Sequence, residues 1–489
     1  MTPQELKNSI LQMAIQGKLV EQRPEEGTAE ELYQQMQAEK QRLIKEGKIK
    51  KEKPLPEITE DEIPFDIPES WKWVRVGDVG SWSAGATPLR TNPQYYNGNI
   101  PWLKTGDLND GYITEVPEFI SELALEKTSL QLNPIGSVLM AMYGATIGKL
   151  GILNIEATTN QACCACIPFD GIYNKYLFYF LMARRTAFIK MGEGGAQPNI
   201  SKEKIVNARF ALPPLAEQKR IVAKIEELLP YIERYEKAWS KLEELNKRFP
   251  IDLQKSILQL AIQGKLVEQR TEEGTAEELY QQIQAEKQRL IKEGKIKKEK
   301  PLPEITEDEK PFDIPESWKW VRVGSISTLN PKNNLNDNLN VAFIPMSCVA
   351  DGFRNQHTFE VRKWKEIKKG FTHFANGDIG VAKITPCFQN RKSVIFRELE
   401  SGYGAGTTEL SIVRALEGTL VREYLLWYFK TDYFIVNGLK SFTGTAGQQR
   451  IHKDYLETCI MPLPPLAEQK RIVKKLEEIM PLCEILKRD

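Results

Sequence analysis

The chain has 489 residues, 41% hydrophobic and 27% charged, with 67 Lys and Arg nearly cancelled by 66 Asp and Glu to leave a net charge of +1. That length is a prior for two to four domains with ordinary apolar cores, and the charge balance neither demands nor excludes nucleic acid, because binding depends on where charge sits. No apolar run is long enough to span a bilayer, and the start Met1-Thr2-Pro3-Gln4-Glu5 lacks a signal-peptide core, so a cytoplasmic protein with no membrane role is expected.

The first apolar stretch, SILQMAIQGKLVEQR from Ser9, returns as SILQLAIQGKLVEQR from Ser256. The match runs on to WKWVRVG, ending at Gly77 and Gly324, with four differences: Met13/Leu260, Pro24/Thr271, Met36/Ile283 and Ile63/Lys310. Inside each copy, AEELYQQMQAEKQRLIKEG or its twin reads as helix, and KIKKEKPLPEITEDE as a charged, proline-marked strap that would be flexible alone. The basic run KEGKIKKEK could touch phosphates or be a solvated or partner-bound strap.

Two inserts follow the copies, about Asp78–Ala211 and about Ser325–Pro462, and they hardly match each other. SVLMAMYG in the first and DIGVAKIT in the second read as buried strands, and KYLFYFLMARRTAFIKM and REYLLWYFKTDYFIVNGL, one in each, as aromatic-rich helices. Glycine-rich turns come next, GEGGAQPNIS and FTGTAGQQRI. ACCACIPF holds Cys163, Cys164 and Cys166; no Cys or His pair follows at zinc spacing, so it reads as a buried strand of small side chains and no metal is expected.

Each insert ends in a second repeat, LPPLAEQKRIVAKIEELLP from Leu212 and LPPLAEQKRIVKKLEEIMP from Leu463. From Ala216 to about Lys247 the apolar positions Ile221, Val222, Ile225, Leu228, Leu229, Ile232 and Tyr235 recur at helical spacing, which predicts a helix of roughly 48 Å at about 1.5 Å per residue. Pro230 and Pro250 should kink or break it, and Glu and Lys on its other faces read as solvated surface. The middle of the chain joins both blocks end to end, the C-terminus has only the first and the N-terminus only the second. This predicts a cyclic arrangement cut inside a helical connector, with close chain ends and a pseudo-two-fold axis. The expected class is α+β: two mixed α/β inserts joined by long antiparallel helices. The expected segments are 1–20 helix, 21–77 strap, 78–211 insert, 212–267 helical connector, 268–324 strap, 325–462 insert and 463–489 helix.

Catalytic motifs fail inspection. GATIGK at Gly144–Lys149 suggests a phosphate loop, but Tyr143 stands where its first glycine belongs and Leu150 where Ser or Thr belongs. GEGGAQ does not join a strand to a helix as a dinucleotide loop does. No Asn/Asp-Pro-Pro-aromatic motif of an amino-methyltransferase occurs, and His357, His373 and His452 have no triad-like neighbours.

LPPLAEQKRIV, KRFPIDLQKSILQLAIQGKLV and PFDIPESWKWVRVG resemble type I restriction–modification specificity subunits, and the resemblance covers essentially the whole chain. IPWLKTGDL, MYGATIGKLG, TTNQA and GGAQPNIS in the first insert, and KITPCFQNRK, GAGTTEL and GTAGQQRI in the second, resemble segments of target-recognition domains. Thr407-Thr408-Glu409-Leu410 stands where such domains often show Ser-Thr-Glu-Phe. The resemblance implies a non-catalytic reader of a bipartite, asymmetric site on double-stranded DNA. It implies two modification subunits and restriction/translocase subunits as partners, with S-adenosylmethionine, ATP and Mg on those partners and no cofactor on this chain. A self-sufficient adenine methyltransferase and a helical scaffold without specific DNA reading are the competing readings.

Base edges are read by Arg, Lys, Asn and Gln with help from Thr and Ser, and phosphates by basic side chains and glycine-rich backbone. The candidate DNA-binding residues of the first insert are therefore Lys104, Thr105, Tyr143, Thr146, Lys149, Asn160, Gln197 and Asn199. Those of the second are Lys383, Thr385, Asn390, Arg391, Lys392, Thr408, Gln448, Gln449 and Arg450.

Overall fold

The computed structural model describes residues 1–192, 198–298, 300–445 and 449–486. The chain divides into two compact units, Met1–Leu242 and Glu243 onward. Each contains one copy of every repeated block and one insert.

In the first unit, the N-terminal helix Pro3–Ile15 runs antiparallel to the start of the long helix Leu215–Ile262. The Tyr235 hydroxyl donates to Met1 O at 2.7 Å at one end, and Gln22 Nε2 donates to Glu217 Oε1 at 2.5 Å at the other. In the second unit the far end of the long helix pairs in the same sense with the helix Leu466–Ile485, through Gln254 to Glu484 (2.8 Å) and Gln269 to Glu468 (2.5 Å). The helix Leu215–Ile262 is continuous through Pro230 and Pro250, against the expectation of breaks there. Each proline removes one N–H, and the turns on either side carry the helix on.

The polar letters of LPPLAEQKR are also not the solvated face that periodicity suggests. Glu217 and Gln218 are 1% and 0% exposed. Trp71 Nε1 donates to Glu217 Oε2 at 2.8 Å, Gln218 Nε2 donates to Pro213 O at 3.0 Å, and Gln218 Oε1 accepts from Tyr173 N–H at 2.8 Å. Arg220 grips Glu26 through two bonds of 2.8 and 2.7 Å. The second unit repeats the lock: Trp318 to Glu468 (2.9 Å), Gln469 to Pro464 O (2.9 Å), Val421 N–H to Gln469 (2.9 Å), and Arg471 to Glu273 (2.8 and 2.7 Å). The Trp–Glu and Arg–Glu partners lie 146 to 198 residues apart in sequence, so no local pattern reveals them.

The straps are tied down as well. Arg75 is buried and donates to Pro56 O, Glu57 O and Asn207 O at 2.7–3.0 Å, and it pairs with Glu62 at 2.7 Å, which holds that carboxyl down to about 2. Arg322 does the same with Pro303 O, Glu304 O, Thr458 O and Glu309. A two-stranded antiparallel clasp closes each insert, Lys72–Arg75 on Arg209–Leu212 and Lys319–Arg322 on Ile460–Leu463.

The first insert holds a five-stranded sheet and a three-stranded sheet; the second holds two four-stranded sheets. Cys163–Pro168 lies within the five-stranded sheet, and Cys163, Cys164 and Cys166 are fully buried, so the apolar reading of ACCACIPF stands. Burial pushes the Cys164 thiol up to about 12, which makes it inert at neutral pH. The aromatic-rich segments form the helix pairs Asn174–Ala183 with Arg185–Lys190, and Arg422–Phe429 with Asp432–Lys440. Their rings meet the frame: Phe180 and Phe210 stand 4.4 Å apart, and the Tyr176 and Tyr424 hydroxyls each donate at 2.9 Å to a carbonyl of the closing clasp. Among the described residues no helix is long and apolar enough to cross a membrane, and no cluster of His, Cys, Asp and Glu could hold a metal.

Candidate nucleic-acid interface

The two inserts share one backbone ladder that their sequences conceal. In the first, Asn160 N–H donates to Leu103 O (2.9 Å), Met142 N–H to Ala162 O (2.8 Å), Ile200 N–H to Met142 O (2.9 Å) and Gly144 N–H to Pro198 O (2.8 Å). In the second, Thr407 N–H donates to Ile344 O (3.3 Å), Lys383 N–H to Glu409 O (3.0 Å), Ile451 N–H to Lys383 O (2.9 Å) and Thr385 N–H to Gln449 O (2.9 Å). The four bonds correspond one to one, and so do the bridges Tyr143 to Asn199 and Ile384 to Arg450. Asn160 thus matches Thr407, Ala162 matches Glu409, Met142 matches Lys383, and Asn199 matches Arg450.

In the first insert this ladder gathers Lys104, Thr105, Asn160, Tyr143 and Asn199 along one set of strand ends. Gly144–Thr146 is a short turn between antiparallel strands, with Thr146 Oγ1 donating to Tyr143 O at 2.8 Å. A strand, Leu150–Leu153, follows it, where a phosphate loop would start a helix. Tyr143 is 43% exposed, and Lys149 and Asn199 are exposed beside it. Lys104 pairs with Glu118, whose carboxyl is held below the usual range first by Lys104 and also by Arg90. Arg90 lies over the Tyr96 and Trp102 rings at 4.7 and 5.0 Å. Arg90 and Gln161, which hydrogen-bonds Thr87, are neighbours that the sequence reading passed over. Among the described residues the buried Asn160 Oδ1 has no hydrogen-bond partner. Gln197 lies outside the described residues.

In the second insert Thr408 is exposed, and Thr385 Oγ1 donates to Gln449 O at 3.3 Å. Arg450 is clasped by Glu409, which stands inside GAGTTEL but is not among the candidates the sequence offers. Its signal is positional, visible only once Glu409 is matched to Ala162. Asn390 is exposed at the turn. Arg391 instead turns into its own fold: Nε donates to Lys430 O at 3.0 Å, Nη2 pairs with Asp432, and the side chain is 14% exposed. Lys392 Nζ donates to Met346 O at 3.1 Å. Of the histidines, His373 is buried, with Nδ1 accepting from Asn333 N–H at 3.2 Å. Gln448 lies outside the described residues.

Two dissimilar sets of side chains thus lie on one ladder, and the same two-stranded clasp closes each insert. The chain matches the type I restriction modification DNA specificity domain over residues 68–244 and 315–488, and it belongs to that family. Over 235 residues it is 48% identical to the type I restriction enzyme EcoAI specificity subunit of Escherichia coli, and 46% identical to the EcoEI specificity subunit. Each match covers 48% of this chain and 40% of the relative, so the chain spans well under half the length of those two proteins. The crystal structure of the HsdS subunit from Thermoanaerobacter tengcongensis aligns with 87% of this chain and 93% of its own, at 20% identity and a TM-score of 0.45.

Proposed function

We propose that this chain is the DNA-recognition subunit of a type I restriction–modification complex. Each insert reads one half of a bipartite, asymmetric site, and the repeated frame recruits two modification subunits and the restriction/translocase subunits. The chain performs no catalysis itself; S-adenosylmethionine, ATP and Mg are handled by the partners. One observation carries this reading: an almost letter-for-letter frame holds two inserts that share a ladder and differ in the side chains on it. A frame that meets the same partner twice keeps its residues, while inserts that meet unlike base edges change theirs.

The test is to express the chain with its modification partner and map methylated adenines genome-wide. A split motif with unlike halves is expected. Replacing about Asp78–Ala211 should then change one half and leave the other intact. A change in both halves together would refute the modular reading.

A further inference from the structure

The inserts differ most at one rung of the shared ladder, where the first has Ala162 and Asn199 and the second has Glu409 and Arg450. Arg450 Nε donates to Glu409 Oε2 at 2.9 Å and Nη2 donates to Oε1 at 2.7 Å, so the carboxylate engages the guanidinium side-on with both oxygens. Glu409 is itself held: its N–H donates to Thr407 Oγ1 at 3.2 Å, its carbonyl accepts from Lys383, and its side chain is 24% exposed. Arg450 exchanges two backbone hydrogen bonds with Thr443, at 2.9 and 3.0 Å. Its side chain nonetheless remains 42% exposed.

An arginine on an open surface loses rotamer freedom when it binds, whereas one already clamped loses less. The clamp also neutralises the guanidinium, so Arg450 is poorly suited to gripping a phosphate, whose attraction rests on net charge. What survives neutralisation is direction. A side-on pair through Nε and Nη2 fixes the plane of the fork and points its Nη end away from the carboxylate. The base edge that matches a planar pair of donors is guanine O6 and N7. We propose that Arg450 reads a guanine in the half-site of the second insert and that Glu409 is the positioning residue that aims it. The first insert, with Asn199 and Ala162 at the same places, has no such fork. This inference rests on reading the chain as a DNA-recognition subunit.

The experiment uses the full chain assembled with its modification partner, on duplexes carrying the mapped site. Each guanine of the second half-site is replaced in turn by 7-deazaguanine, which lacks only the N7 acceptor. One guanine should show at least about fivefold weaker binding, the low end for losing a bidentate base contact. That sensitivity should disappear in Arg450→Gln and shrink in Glu409→Gln, with responses in the first half-site unchanged. No sensitive guanine in the unmutated complex, or undiminished sensitivity in Arg450→Gln, overturns the assignment. If Arg450→Gln does not assemble, undiminished sensitivity in Glu409→Gln overturns it instead. A complex that methylates no split motif at all refutes the recognition-subunit reading; a split motif without N7 sensitivity refutes only the role of Arg450.

Discussion

Along the shared ladder the first insert carries Met142, Ala162 and Asn199, and the second carries Lys383, Glu409 and Arg450, on matching backbone hydrogen bonds of 2.8 to 3.0 Å. An uncharged row has been exchanged for a row of alternating sign with little change in the main chain. The frames behave in the opposite way. Trp71, Gln22, Glu217 and Arg220 recur as Trp318, Gln269, Glu468 and Arg471 with the same partners at nearly the same distances. Identity is kept where side chains lock the fold together, and varied along a ladder that the backbone already holds.

The largest expected effect tests whether the two locks are equal. Trp71 and Trp318 are each 6% exposed and donate to a buried glutamate. Trp71→Ala and Trp318→Ala should each cost about 3–5 kcal/mol, from the cavity and the stranded carboxylate. Denaturant unfolding, followed by hydrogen exchange to assign the loss to one unit, should give similar values for the pair. A difference of several kcal/mol between them would break the equivalence of the frames.

A middle-sized effect separates folding from reading within the second insert. Arg391 is committed to Lys430 O and Asp432. Arg391→Ala should lower the stability of its unit by about 1.5–3 kcal/mol, the scale for hydrogen bonds to a charged group, and leave the methylated sequence unchanged. An altered half-site with unchanged stability would return Arg391 to the DNA-reading set.

The smallest effect is a pH dependence. Burial raises the carboxyl pKa of Glu217 and Glu468 above the ordinary value, against the lowering by Trp71 with Gln22 and by Trp318 with Gln269. Just above the usual glutamate pKa these two groups hold more protons folded than unfolded, so their contribution to stability falls as pH rises through that interval. In urea unfolding, the combined Glu217→Gln and Glu468→Gln variant should gain stability relative to the parent as pH rises there. A difference that is flat with pH would mean that the two carboxyls do not titrate differently on folding.

Much of the architecture is legible from the residues alone. The repeats, the inserts they bracket, the buried strands SVLMAMYG and DIGVAKIT and the aromatic helices all rest on local periodicity and identity, which a linear sequence carries in full. The candidate site is legible only in part. Clusters around Lys104, Tyr143, Thr385 and Arg450 fall on the ladder, but Glu409 was missed and Arg391 is turned inward, because the direction of a side chain depends on which distant strand its neighbours pair with.

What only the tertiary structure decided shares one cause. Glu217 reads as surface until Trp71 and Gln22 arrive from elsewhere in the chain. Pro230 reads as a kink or an end and Pro250 as a break, yet the helix runs on through both because the surrounding turns carry it. The ladder that equates Asn199 with Arg450 consists of main-chain hydrogen bonds, which leave no letter in the sequence. Local pattern fixes which segments are helix, strand and frame; the pairings of Trp71 with Glu217 and of Trp318 with Glu468 are set by contacts across more than a hundred residues, and those contacts exist only in the folded chain.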